Sequence, residues 1–327
     1  MFYVSRDRMR RILSSQGIQN FIFVCVCFWV VPTLSAQPLP VVASFSILAD
    51  MVREVGGPHV EVTSLVGANA DVHVFDPTPA DAKRIASARL VVVNGLGFEG
   101  WLDRLIKSSG YKGPIVIASK GVKTPLQLKD DHEHSGANKA HSHKHSLIVP
   151  DPHAWQNLAN AESYVETIRI ALAAALPAHA ATFEQRAADY IKRIKTLDGA
   201  TKARIAEVAV ERRRVITSHD AFGYFASAYG VTFFPLQGLS TGSEPSASDI
   251  VRIIDLIKKN KVSAIFTESI SDPRVLERIA KDSGAKVGGV LYADALTAPG
   301  TDADTYLKMF ERNVTTIMQG ISAEPSK

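Results

Sequence analysis

Residues 178–208 contain no proline and a single glycine, Gly199. Within them Phe183, Ala187, Tyr190, Ile194 and Leu197 recur at alternating steps of four and three. That spacing lays one apolar stripe along a helix. Glu184, Arg186, Asp189, Lys192, Arg193, Lys195 and Asp198 occupy the other faces. At 1.5 Å per residue such a helix spans roughly 45 Å, against a mean globular helix of about 11–12 residues. A coiled-coil arm would need a stripe sustained over three to four heptads, and this one is shorter. The expectation is a strut that packs against two lobes, one before it in the chain and one after it.

The flanking sequence supports two lobes of one kind. Short apolar runs at 41–44, 60–65, 90–94 and 114–119 alternate with helical patterns at 47–55, 79–88 and 98–107. A further helix is expected at 159–176. After the strut the rhythm returns, with strands at 214–218, 231–236, 263–267 and 287–292 and helices at 222–229, 246–259 and 273–283. A last helix is expected over 303–321. Alternation of this kind implies parallel sheets covered by helices. The fold class is therefore α/β: two (βα)4-type lobes, 37–177 and 209–327, joined by one long rigid helix, 178–208.

Two segments break the pattern. Arg6, Arg8, Arg10 and Arg11 precede an apolar run, 21–31, followed by small residues up to Ala36. This reads as a secretory signal over 1–36, too short for a spanning helix; the alternative is an uncleaved anchor. Cys25 and Cys27, the two cysteines of the chain, lie inside the run. No small-residue-then-Cys pattern follows, so no lipid anchor is expected. A mature chain from Gln37 would have no disulfide and no thiolate chemistry. Loss of that segment removes four arginines and one aspartate, so the formal charge of +4 falls to +1. That balance excludes a nucleic-acid partner as the ready reading. The second break is 121–149, where five of the ten histidines lie between His132 and His145. Without apolar periodicity it reads as a mobile surface loop with weak metal affinity, or as a spacer whose histidines are incidental.

The remaining histidines are His59, His73, His153, His179 and His219. His73 stands between a strand and a helix, in Asp71-Val-His-Val-Phe-Asp-Pro-Thr-Pro79. His153 stands in Asp151-Pro-His-Ala-Trp155, and His219 directly after a strand in Thr217-Ser-His-Asp-Ala221. Asp294 follows the strand at 287–292. Open α/β sheets bind ligands beyond the carboxyl ends of their strands, where His73, His219 and Asp294 are all placed. Each alone would more often cap or hydrogen-bond; together they favour a metal site in the cleft between lobes. Three imidazoles and a carboxylate suit tetrahedral Zn2+. Asp71 or Asp76 could orient His73 through its second nitrogen. Glu268, at the end of its strand, is a supporting candidate. His59 reads as a turn residue and His179 as solvated.

These motifs resemble those of the metal-binding solute-binding proteins of ABC importers, in particular the periplasmic zinc-binding group. The similar stretches run in order through the mature chain: 71–81, 93–101, 151–155, 217–224, 243–247, 266–268 and 291–294. The resemblance implies His73, His153, His219 and Asp294 as metal ligands. It also implies delivery to a membrane ABC permease. Manganese-binding relatives tend to carry a carboxylate at the third position; His219 there points to zinc, as does a His-rich loop. The absent cysteines exclude the disulfide of some enterobacterial members. The shortness of the loop resembles members that receive zinc from a periplasmic metallochaperone. A binding protein, monomeric and periplasmic, is expected; a manganese- or iron-binding member of the same family is the alternative. A zinc hydrolase is the remoter one. No His-Glu-x-x-His or Gly-x-Ser-x-Gly motif occurs, and a fourth protein ligand would fill the position a catalytic zinc keeps open.

Overall fold

The computed structural model describes residues 37–130, 147–239, 241–242 and 244–322. The expected signal segment, both cysteines and the five loop histidines lie outside the described residues.

The first lobe runs β1 (Leu39–Phe45), α1 (Ser46–Gly56), β2 (Val60–Val66), α2 (Pro79–Ser87), β3 (Leu90–Val93), α3 (Leu102–Ser109) and β4 (Ile115–Ile117). Its strands form a parallel sheet of order β2-β1-β3-β4. All four residues of β3 are buried, as expected of a strand covered on both faces. α2 starts at a capping box: Thr78 accepts from the Asp81 backbone N–H, Asp81 accepts from that of Thr78, and Pro79 takes the first helical position. Each device satisfies an amide that the helix itself leaves open. α3 begins later than the sequence suggests: Gly95, Leu96 and Gly97 all have positive φ, and the chain passes through turns in which Phe98 donates to the Gly95 carbonyl and Leu102 to that of Glu99.

Within the segment expected to be a loop, β5 (Gln127–Asp130) and β6 (Leu147–Pro150) pair antiparallel. Four-residue strands next to Pro125 and ending in Pro150 carry too little periodicity to be read. The chain then forms α4 (Leu158–Ala175) and the long helix, α5 (Ala180–Ala206). Its 27 residues span about 40 Å.

The second lobe comprises β7 (Arg214–Thr217), α6 (Gly223–Tyr229), β8 (Thr232–Pro235), α7 (Ala247–Asn260), β9 (Ala264–Glu268), α8 (Arg274–Ser283), β10 (Val287–Leu291) and α9 (Tyr306–Ser322). Its sheet is again parallel, of order β10-β9-β7-β8. The strand order reverses between β7 and β9, which makes their carboxyl ends the natural ligand crevice.

The stripe of α5 divides its work. Phe183, Ala187, Tyr190 and Ile194 are buried, as are Thr201 and Ile205. The helix packs on α1 and α4 of the first lobe and on α6 and α9 of the second. Arg193 pairs with Glu54, and Arg186 Nε donates to the Glu54 carbonyl at 3.0 Å. α9 provides a second tie. It starts at Tyr306, three residues later than the pattern suggests, where Asp50 on α1 accepts the Tyr306 backbone N–H at 2.8 Å. One apolar core therefore runs from β1 through Phe183 and Tyr190 to Tyr306 and Phe310. A separate small core, around Ile216, Ile253, Ile265 and Leu276, lies between the second sheet and α7 and α8. Among the described residues no helix is long and apolar enough to cross a membrane.

Candidate metal centre

His73 sits on the loop between β2 and α2. Asp71 Oδ1 accepts the His73 backbone N–H at 2.8 Å. Trp101 Nε1 donates to the Val72 carbonyl at 3.1 Å. The expected contact from Asp71 or Asp76 to the second ring nitrogen is replaced by this backbone bond. The other Asp71 oxygen accepts from the Thr241 hydroxyl on the second lobe, and Asp76 borders a groove with Thr78, Trp101 and Arg104.

His153 follows β6 in a tight turn. Asp151 Oδ1 accepts its backbone N–H at 2.9 Å and lies 2.8 Å from its Nδ1. Asn94 Nδ2 donates to the Pro152 carbonyl at 2.9 Å. Asp151 is the supporting residue that sequence reasoning missed. The repeated Asp-x-His spacing at Asp71–His73 and Asp151–His153 was the available signal, since an aspartate readily accepts an amide two residues on.

His219 emerges at the end of β7, next to the end of β9. Glu268 Oε1 accepts its backbone N–H at 3.0 Å, and Oε2 faces its Nδ1 at 2.5 Å. Asp294 lies on the loop after β10. Beside it the Ala293 carbonyl accepts from Trp155 Nε1 at 3.0 Å and from Gln156 Nε2 at 2.8 Å. Where a carboxylate takes the Nδ1 proton, the lone pair of an imidazole is presented at Nε2.

The three Nε2 atoms and the Asp294 carboxylate converge. Asp294 Oδ2 lies 3.2 Å from His73 Nε2 and 3.2 Å from His219 Nε2, and Oδ1 lies 3.6 Å from His153 Nε2. One donor atom from each residue fits within 4.8 Å of the others. A tetrahedral ion with bonds near 2.0–2.1 Å needs donor separations of roughly 3.3 Å; the distances from Asp294 to the three imidazoles are already close to that. His153, His219 and Asp294 are fully buried; the His73 side chain, 9% exposed, is nearest the outside. Phe98 packs edge-on against His73 and His153, with Trp155 behind it.

All five converging atoms, the three Nε2 and both Asp294 oxygens, are buried and face only one another, none of them in a well-formed hydrogen bond. Buried polar groups are seldom left so. The charges point the same way. Burial alone would push the imidazolium of His219 down, but Glu268 and Asp294 outweigh it and hold its pKa well above 6.5. Burial would raise Asp294, yet the imidazoles of His153 and His219 hold it well below the usual carboxylate range. Donors so arranged could accept a cation.

His59 and His179 stand apart. Their rings stack at 3.9 Å beside Phe183, so His179 is partnered and not simply solvated. Nearly parallel rings cannot aim in-plane lone pairs at one ion.

A family model described as the periplasmic component A of the zinc-uptake complex matches residues 41–320. The iron-binding protein YfeA of Yersinia pestis is 31% identical over 289 residues, covering 88% of this chain and 88% of its own. The manganese-binding lipoprotein MntA of Bacillus subtilis is 31% identical, covering 87% and 90%. Among solved structures, the periplasmic zinc-binding protein TroA of Treponema pallidum superposes with a TM-score of 0.78 at 29% identity. It covers 87% of this chain and 99% of its own.

Proposed function

The chain belongs to the family of periplasmic zinc-uptake components, metal-binding solute-binding proteins of ABC importers, and from that premise we propose that it captures Zn2+ in a cage of His73, His153, His219 and Asp294. The observation that carries this reading is the set of five buried donor atoms on those four residues, which face only one another. Three nitrogens and one oxygen, gathered within 4.8 Å of one another, are a donor set that suits zinc. His219 in place of a carboxylate adds nitrogen, which favours zinc over manganese in ligand type and in the intrinsic affinity order.

The loaded protein docks on a membrane permease whose ATPase drives release. α5 and the α9–Asp50 tie restrict the lobes to small tilts. With Asp294 in the fourth position the site binds and does not hydrolyse. The protein acts as a monomer, and a periplasmic metallochaperone is the donor that the His-rich segment would meet. Residues 1–36 are removed as a signal, leaving a free periplasmic protein; MntA of Bacillus subtilis is by contrast described as a lipoprotein. Intact mass of the exported protein separates a chain starting near Gln37 from a lipidated one.

The test of metal identity is elemental analysis after expression in defined medium. One zinc per chain is expected, absent from His153→Ala. One manganese or iron per chain would instead select the second reading. That reading draws on Asp294, both of whose oxygens reach the cage: a bidentate carboxylate would raise the coordination number towards that of manganese or iron sites.

A further inference from the structure

Beside the cage, between the loops that carry His73 and His219, lies a cleft of about 260 Å³. Asp71, Glu244 and Asp272 bring carboxylates to it, and Ser218, Thr241 and Ser271 bring hydroxyls. Among the described residues neither imidazole nor thiol lines it. Two observations mark it as more than an acidic surface. Ser218, only 3% exposed, has an Oγ without a hydrogen-bond partner, as does Ser271. A buried hydroxyl in that state calls for a ligand or a bound water. Asp71 also connects the two places: one oxygen accepts the His73 amide and the other meets Thr241 at the cleft.

The charge balance favours a cation. Arg274 pairs with Asp272 and also attracts Glu244, so three carboxylates at the cleft are offset by one guanidinium. At roughly 30 Å³ per water, the volume admits an ion together with part of its hydration shell. An all-oxygen donor set suits hard, hydrated divalent ions and does not discriminate strongly among them.

We propose that this cleft is a second, weak divalent-cation site, in which an incoming ion is held by oxygen donors and water before it exchanges them for the imidazoles of the cage. The proposal rests on the metal-binding reading of that cage. Selection by charge occurs in the cleft, and selection by ligand type occurs inside.

The experiment uses the zinc-saturated full-length chain titrated with Mn2+, free aquo-Mn2+ being counted by its paramagnetic resonance signal, and zinc retention checked by elemental analysis. One additional weakly bound Mn2+ per chain is expected, weakened several-fold by Ser218→Ala and by Glu244→Gln. It should persist in a chain lacking 131–146. No extra Mn2+, binding unchanged in both variants, or binding lost with 131–146 would overturn the proposal. If manganese displaces the zinc, the zinc reading of the cage fails; the cleft is then still judged by whether a second Mn2+ responds to Glu244→Gln.

Discussion

Replacing Glu268 with glutamine should change how zinc affinity depends on pH. In the metal-free protein His219 lies between two carboxylates, Glu268 at its Nδ1 and Asp294 at its Nε2. Although burial opposes it, they hold the imidazolium well above 6.5. The proton is therefore held on His219 to higher pH than on an ordinary imidazole, and a metal ion must displace it. Below the raised pKa each pH unit costs one power of ten in apparent affinity, about 1.4 kcal/mol. The stability that this ion pair lends the metal-free fold is fully present below the ordinary imidazole pKa and is lost as pH rises through the raised value. In Glu268→Gln one carboxylate is gone. The amide has one oxygen in place of the two that now meet the His219 backbone N–H and Nδ1 separately, so in the present geometry one of those donors would face an NH2 that cannot accept. Two effects follow: the ring loses its orientation, which typically weakens metal binding 10–100-fold, and the proton leaves at lower pH. Chelator competition over a window of pH rising from about 6.5 should show the parent's affinity increasing with pH for as long as His219 keeps its proton. The variant should show weaker binding with a shallower slope. Calorimetry in buffers of different ionisation heat should likewise show about one proton released per ion by the parent. A parent affinity flat over that window, or an unchanged slope in the variant, would refute the electrostatic account of His219.

Substituting His219 with glutamate exchanges nitrogen for oxygen and should narrow the preference for zinc over manganese; competition of both metals for parent and variant tests it, an unchanged ratio counting against His219 as the selector. Burial lifts Asp50 to about 6, although the Tyr306 amide works against it. Its neutral form thus stabilises the fold below about pH 4, and that contribution is lost as pH rises through 6. Asp50→Asn should then add up to about 3 kcal/mol at pH 8 and little at pH 4, as urea unfolding at both values would reveal. Deleting 131–146 should leave the tight zinc site and remove the weak sites formed by that segment's histidines, because histidines outside a fixed scaffold must offset ordering entropy; calorimetric loss of the tight site would move a ligand into that segment.

Local chemistry was legible in this chain, and distant contacts were not. The apolar rhythm around Val91 and Ile265 announced parallel strands, because buried strands cannot hide their composition. The stripe from Phe183 to Ile194 announced α5 in the same way. His73, His153, His219 and Asp294 could be singled out because each follows a strand or opens a turn. What they touch depends on chain segments far away: Trp155 and Gln156 meet the Ala293 carbonyl across some 137 residues, and no periodicity encodes that. The β5–β6 hairpin escaped notice because four residues are too few to show a period. His179 looked solvated because its partner, His59, is more than a hundred positions distant.

The hydrogen bonds around Ala293 bear on the order in which an ion could leave. By chain position Asp294 belongs to the second lobe, together with His219. Yet the Ala293 carbonyl is gripped by Trp155 and Gln156, Leu296 donates its amide to Ser46 Oγ, and its carbonyl accepts from Asn69. Asp294 is moored to the first lobe's side of the cleft. A small tilt of the lobes apart would then divide the four proposed ligands three to one, withdrawing His219 while His73, His153 and Asp294 remain around the ion. On that reading unloading would be a stepwise peeling that begins at one imidazole. With Co2+ as a spectroscopic stand-in, a partly released state should retain its carboxylate; an intermediate held by two imidazoles alone would contradict this order.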